Sequence, residues 1–215
     1  MKILLTAGPT REPIDPVRYL TNRSSGKMGY GIAKAARHRG HQVLLISGPT
    51  TLGVPDGVDF LPVETAEEMY EAVANHLAKY DVGIFTAAVA DYTPADPADQ
   101  KVKKSGEELT LTLRKTKDIL GSARTELEFQ GTLIGFAAET QDVERYARGK
   151  LERKGCDLVV ANDVSQQGVG FDSDENEILL VFPDHTERLP RDSKDHLGFE
   201  IIEQAEHLAA MKSDL

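Results

Sequence analysis

Short apolar runs alternate with segments of helical periodicity along most of the chain. KILLTA (2–7), QVLLIS (42–47), VDFLPV (58–63), DVGIFTA (81–87), TLIGFAA (132–138) and DLVVAND (157–163) read as strands, and helical spacing recurs near 27–39, 65–79 and 141–154. Strands that are apolar on both faces and alternate with helices predict a mainly parallel sheet covered on both sides, a doubly wound, Rossmann-like α/β fold. Two stretches interrupt this rhythm. After Asp91 a Pro-rich and then Lys-rich segment leads into period-2 alternation at Leu109, Leu111 and Leu113, which predicts a flap and β-hairpin over about 92–114. Near the end, NEILLVFPDHTERLP predicts a second hairpin turning at Pro183 to His185, followed by a closing helix at about 193–211. With no internal repeat or low-complexity tract, residues 1–215 read as one domain.

Charge and composition narrow the functions open to such a domain. Lys and Arg total 25 against 35 Asp and Glu, a formal net charge of -10. That excess, together with 6% aromatics and no Trp, disfavours broad binding to a nucleic-acid backbone. No apolar run approaches the roughly 20 residues of a membrane helix, and the N-terminal run leads into Gly8-Pro9 rather than a cleavage site. The single cysteine, Cys156, cannot form an internal disulfide, which fits a reducing, cytoplasmic setting, and its place before a strand marks it as a core residue. No histidine stands in a nucleophile-pairing or metal-ligand spacing. What remains is small-molecule chemistry by positioning and charge neutralisation, with positive charge concentrated locally.

In open α/β sheets ligands bind beyond the carboxyl ends of the strands. After the first strand, GPTREPIDPVRYLTNR (8–23) intervenes before the first helix, and its three prolines predict a rigid loop over a cleft. Ser24-Ser25-Gly26-Lys27-Met28-Gly29 then opens a helix whose N–H groups and dipole attract anions, with Gly26 and Gly29 allowing close approach of a ligand or a strand. The second strand ends Ser47-Gly48-Pro49, without the ribose-binding acid that an NAD site requires. At the fourth strand end, Ala87 and Ala88 leave the backbone accessible to a flat base or sugar, and Asp91 offers a Mg²⁺ carboxylate or a helix cap. Lys101, Lys103 and Lys104 are flap cations suited to phosphate or to a solvated face. Phe136 reads as a base-packing or a core residue. Lys150 and Lys154, four apart on a helix, share one face and either reach one anion or pair with Glu144 or Glu152.

Taken in order, GPTREPIDPVRYLTNRSSGKMG (8–29), AAVADY (87–92), KVKK (101–104), GFAAET (135–140), KLERKGCDLVVAND (150–163) and GFDSDENEILLV (170–181) resemble phosphopantothenoylcysteine synthetase across nearly the whole chain. The resemblance implies a ligase of coenzyme A biosynthesis that joins 4'-phosphopantothenate to L-cysteine through an acyl-cytidylate, with release of pyrophosphate and CMP. Bacterial members use CTP, with ATP typical of eukaryotic ones, and Mg²⁺ accompanies the nucleotide. It further implies Asn22 and Arg18 as substrate-site residues, with Asn22 handling the acyl-cytidylate, and Lys101 as the functional flap lysine. Gly8, Ser24, Ser25, Gly26, Met28, Gly29, Ala87, Ala88, Asp91, Asp118, Ile119, Phe136, Lys150 and Lys154 become nucleotide-site positions, Asp91 lying near the metal. One departure is Lys117-Asp118-Ile119-Leu120, where many relatives carry Pro before the Asp. A homodimer is implied as well, and a flavin-dependent decarboxylase as pathway neighbour. With Met1 at the start of the first strand, the chain resembles a stand-alone form or excised domain without flavin. A Rossmann reductase using NAD(P) and a non-catalytic nucleotide-binding module are the competing readings.

Overall fold

The computed structural model describes residues 1–104, 106–163 and 173–213. Its elements are β1 (Lys2–Ala7), β2 (Arg11–Asp15), β3 (Arg18–Thr21), α1 (Lys27–His38), β4 (Gln42–Ser47), β5 (Asp59–Pro62) and α2 (Ala66–His76). They continue with β6 (Val82–Phe85), β7 (Tyr92–Pro94), β8 (Leu113–Lys115), α3 (Ile119–Thr125), β9 (Thr132–Glu139), α4 (Val143–Lys154), β10 (Leu158–Asp163), β11 (Glu175–Val181), β12 (Thr186–Ser193) and α5 (Lys194–Ser213). Of the last resemblance motif, residues 170–172 lie outside the described residues.

Among the described residues one sheet runs in the order β12-β11-β10-β9-β6-β1-β4-β5. The six strands from β10 to β5 pair in parallel, and β11 and β12 extend the sheet antiparallel. The doubly wound expectation is therefore met. Alternate residues of each inner strand feed opposite layers. Ile3, Leu5 and Ala7 pack with α1 and α5, while Leu4 packs with α2, α3 and α4. Burial of apolar surface on both faces explains why these strands carry almost no polar side chains.

The edge of the sheet opposite the carboxyl ends is tied by polar contacts. Asp157, just before β10, accepts from Arg124 Nη2 at 2.9 Å, Lys212 Nζ at 2.8 Å and the Leu133 N–H at 2.7 Å through one oxygen, Oδ2. Arg124 and Lys212 also both reach the carbonyl of Gly131, each at 3.0 Å.

Residues 8–23 correct one expectation, since they contain an antiparallel hairpin, β2 paired with β3, rather than an irregular loop. A two-stranded ribbon leaves one row of N–H groups outside the ladder, so Pro13 sits within β2 without losing a needed donor. The flap begins and ends in a short ladder, β7 with β8. Its second strand starts only at Leu113, so the alternation at Leu109 and Leu111 precedes the strand instead of building it, and those leucines are exposed. The hairpin β11–β12 turns where expected, with the Phe182 N–H bonded to the His185 carbonyl at 2.9 Å. α3 was not anticipated by the apolar spacing.

Candidate functional site

Reading the parallel strands as β5-β4-β1-β6-β9-β10 shows chain order reversing between β1 and β6. A crevice is expected outside the carboxyl ends at such a reversal. A cleft of about 690 Å³ lies there, walled by Thr6 of β1, the start of α1, Thr86 to Val89 after β6, Phe136 and Ala138 of β9, and Lys150 and Lys154 of α4.

The start of α1 forms one wall. Gly26, its N-cap, has φ +78° and no side chain to cap with; Ser24 Oγ accepts the Gly26 N–H at 3.3 Å and Ser25 Oγ the Lys27 N–H at 3.5 Å, and Ser24, Ser25, Gly26, Met28 and Gly29 all stand at the cleft. Gly29 faces inward to the sheet. A Cβ there would stand 2.5 Å from Thr86 Oγ1 and 2.6 Å from the Ala7 Cβ, so this glycine serves close packing of helix on strand. Gly8 is not a wall of the cleft. Its φ of +71° turns the chain behind the site, where a Cβ would meet the Gly48 carbonyl oxygen at 2.8 Å.

The β6 end is held as an extension of the sheet. Ala88 forms a parallel bridge with Pro9, its N–H donating to the Gly8 carbonyl at 2.9 Å and its carbonyl accepting from the Thr10 N–H at 3.3 Å. Asp91 follows, exposed at the cleft, and caps no helix. Among the described residues no three His, Cys, Asp or Glu side chains converge on a metal position. Asp91 and Asp118 are the carboxylates at the cleft; Asp118 is engaged by Lys154 and the Gly121 N–H, which leaves Asp91 as the one that could hold a divalent cation.

The α4 lysines are positioned from within the fold, not by the glutamates of their own helix. Lys154 Nζ forms an ion pair with Asp118 Oδ2, while Asp118 Oδ1 accepts from the Gly121 N–H at 3.0 Å and so caps α3. Burial works to raise the Asp118 pKa, but the Lys154 contact and the Gly121 N–H outweigh it and hold the carboxyl below its usual range. Lys150 Nζ donates to the Phe136 carbonyl. Burial, reinforced by the neighbouring Lys154 charge, lowers the Lys150 pKa. Beneath them burial pushes the Cys156 thiol up to about 12, an inert core group.

Like Gly8, the sequence candidates Asn22, Arg18 and Lys101 stand outside the cleft wall. Asn22 follows β3 and donates its Nδ2 to the carbonyls of Ala88 at 3.0 Å and Val89 at 3.3 Å. Arg18 pairs with Asp15 and touches the flap. Lys101 is exposed on that flap. Conversely, Thr6, Thr86, Lys115, Asn162, Asn176 and Lys194 line the cleft and were not chosen. Asn176 and Lys194 are buried, contributed by the antiparallel extension and the start of α5.

Residues 1–208 match the family model described as the DNA/pantothenate metabolism flavoprotein C-terminal domain. The chain belongs to this family. It is 51% identical over 208 residues to the coenzyme A biosynthesis bifunctional protein CoaBC of Vibrio vulnificus strain YJ016, covering 96% of this chain and 52% of that protein. It is 50% identical over 204 residues to the protein of the same name from Bacillus subtilis strain 168, covering 94% of this chain and 50% of that one. The chain thus spans about half the length of these relatives. Among solved structures, the C-terminal domain of a CoaBC protein superposes with a TM-score of 0.82 at 42% identity, covering all of this chain and 96% of the other. Membership bears out the resemblance carried by the motifs. Within the family frame, the sequence could have flagged Asn162 and Asn176, which stand in the quoted KLERKGCDLVVAND and GFDSDENEILLV segments, whereas Lys194 carried no signal of its own.

Proposed function

We propose that this domain is a phosphopantothenate–cysteine ligase that uses CTP. The observation carrying the reading is the convergence of Lys150, Lys154, Asp91 and the N-terminus of α1 on one cleft at the strand reversal. The names of the CoaBC relatives, which place those proteins in coenzyme A biosynthesis, and the motif resemblance support it.

A carboxylate is a poor electrophile, and its attack on an α-phosphate brings two anions together. In the first step a carboxylate oxygen of 4'-phosphopantothenate bonds to the α-phosphorus of CTP, and pyrophosphate leaves with the electron pair. Lys150 and Lys154 neutralise the phosphates from α4, the opening N–H groups of α1 bind phosphate oxygens, and Phe136 packs against the base. Mg²⁺, when bound beside Asp91, supplies further charge neutralisation of the triphosphate. In the second step the cysteine amine bonds to the acyl carbon, CMP leaves and the amine proton passes to solvent. Asn22, at the mouth of the site, shifts its Nδ2 from the longer Val89 contact onto the carbonyl oxygen that gains negative charge. Lys101 on the flap and Arg18 complete the charge set for the anionic substrates. Catalysis in the cytoplasm by a homodimer, with a flavin-dependent decarboxylase supplying the next step, belongs to the same reading.

The test is pyrophosphate release with 4'-phosphopantothenate, L-cysteine and either CTP or ATP. Release with CTP that requires 4'-phosphopantothenate is expected, and none with either nucleotide removes the assignment.

A further inference from the structure

The hairpin β2–β3 and the flap meet at one carboxylate. The Asp15 side chain is fully buried beside a guanidinium that is 43% exposed. Its Oδ1 accepts the N–H groups of Val17 and Arg18, both at 2.9 Å. Its Oδ2 accepts Arg18 Nη2 at 2.5 Å, Arg18 Nε at 3.1 Å and, from the flap, the Val102 N–H at 3.1 Å. Arg18 Nη2 in turn donates to the Val102 carbonyl at 3.0 Å. Both main-chain groups of Val102 are therefore gripped by one ion pair, the donor by the anion and the acceptor by the cation. A second tether lies nearby, where the Ala98 N–H meets the Ile14 carbonyl at 2.9 Å.

We propose that Asp15 is a positioning residue that latches the flap onto the β2–β3 hairpin through the two main-chain groups of Val102, and so sets where Lys101 and Lys103 stand. The latch grips backbone, so it is indifferent to the side chain at 102. It depends on the carboxylate because hydrogen bonds to an ionised acceptor are roughly twice as strong as neutral ones, and an amide replaces one accepting oxygen by an NH2 donor. Arg18 is oriented by the same carboxylate through Nε and Nη2. Asp15 itself touches no cleft-lining position and acts through Arg18 and the flap.

The bearing of this latch on catalysis rests on the ligase reading, but the latch can be read without any substrate. Trypsin cleaves after lysine, and Lys101, Lys103 and Lys104 place three such sites at the gripped segment. Cleavage there tracks the population of undocked flap. With fold integrity followed by circular dichroism and products mapped by mass spectrometry, Asp15→Asn is expected to speed cleavage at these three sites about tenfold. Val102→Ala is expected to leave it at the wild-type rate. Should Asp15→Asn fail to fold, Arg18→Lys decides, because a lysine retains the charge but cannot hold both Asp15 and the Val102 carbonyl. Wild-type cleavage rates in a folded Asp15→Asn or Arg18→Lys, or accelerated cleavage in Val102→Ala, overturn the latch. Pyrophosphate release measured in parallel separates the two readings: a wild-type chain that releases none refutes the ligase while the proteolysis result stands.

Discussion

Asn22 Nδ2 lies 3.0 Å from the carbonyl oxygen of Ala88, which binds the end of the β2–β3 hairpin to the strand extension beside the cleft. The same carbonyl also takes the Thr10 N–H, and the Thr10 hydroxyl takes the Ala90 N–H at 3.0 Å. In the proposed ligase, the amide at position 22 would trade one of these main-chain partners for the reacting carbonyl.

Replacing that amide by a carboxylate removes the donor and sets an anion against two carbonyl oxygens. Asn22→Asp should retain CTP binding and pyrophosphate release but form the cysteine adduct roughly 100-fold more slowly or worse, as when one transition-state hydrogen-bond donor is lost. Separate assays of pyrophosphate and of the thiol product check this, and adduct formation at the normal rate would exclude the role.

The depressed pKa of Lys150 has a thermodynamic signature. Between its folded pKa and the ordinary value of 10.5, the folded chain holds fewer protons at this site than the unfolded chain, so its contribution makes stability rise with pH across that window. An anionic ligand favours the charged amine. Nucleotide binding at alkaline pH should therefore take up protons, and Lys150→Met should abolish the uptake. Calorimetry in buffers of different ionisation enthalpy reads it directly.

Asp118 serves α3 and Lys154 together. Asp118→Ala should cost about 1 kcal/mol, the usual consequence of losing a side-chain N-cap, and should weaken nucleotide binding by letting Lys154 wander. Denaturant titration and equilibrium binding report the two effects separately, and unchanged stability would contradict the cap.

Gly29 tests the helix-on-strand contact. Gly29→Ala forces a methyl against Thr86 Oγ1 and the Ala7 Cβ and should destabilise by roughly 1–3 kcal/mol. Gly53→Ala, where nothing lies within 4 Å of the new methyl, should be close to neutral. The difference in denaturation midpoint between the two variants measures the contact.

Much of this arrangement was legible in the chain. Buried strands such as β1 and β9 announce themselves because both faces must be apolar, and the acid-poor second strand end argued against a ribose-binding carboxylate before any geometry was known. The hairpin β2–β3 was hidden because prolines at 9, 13 and 16 signal a loop locally, whereas a two-stranded ribbon tolerates them. α3 was hidden for another reason. It is one and a half to two turns long, carries Gly121 and Ser122, and is stabilised by its Asp118 cap and its packing against the sheet more than by periodicity. In the site, residues next to strand ends were readable by position alone. Lys194 was not, since it arrives from the far end of the chain and only the sheet's antiparallel extension brings it to the cleft. The pairing of Lys154 with Asp118 instead of a helix neighbour was likewise invisible, because it joins residues 36 positions apart.

The knot of Arg124, Asp157 and Lys212 at the opposite edge has a mechanical meaning. It clamps the lead-ins to β9 and β10 together with the final helix, using charges that line no part of the cleft. The molecule resembles a book bound along its spine: the cleft lies at the open side, and the spine is closed by side chains that take no part in it. Cutting the binding at Lys212 should let that edge breathe while leaving the chemistry of the open side untouched in its parts, which separates rigidity from reactivity in a single side chain.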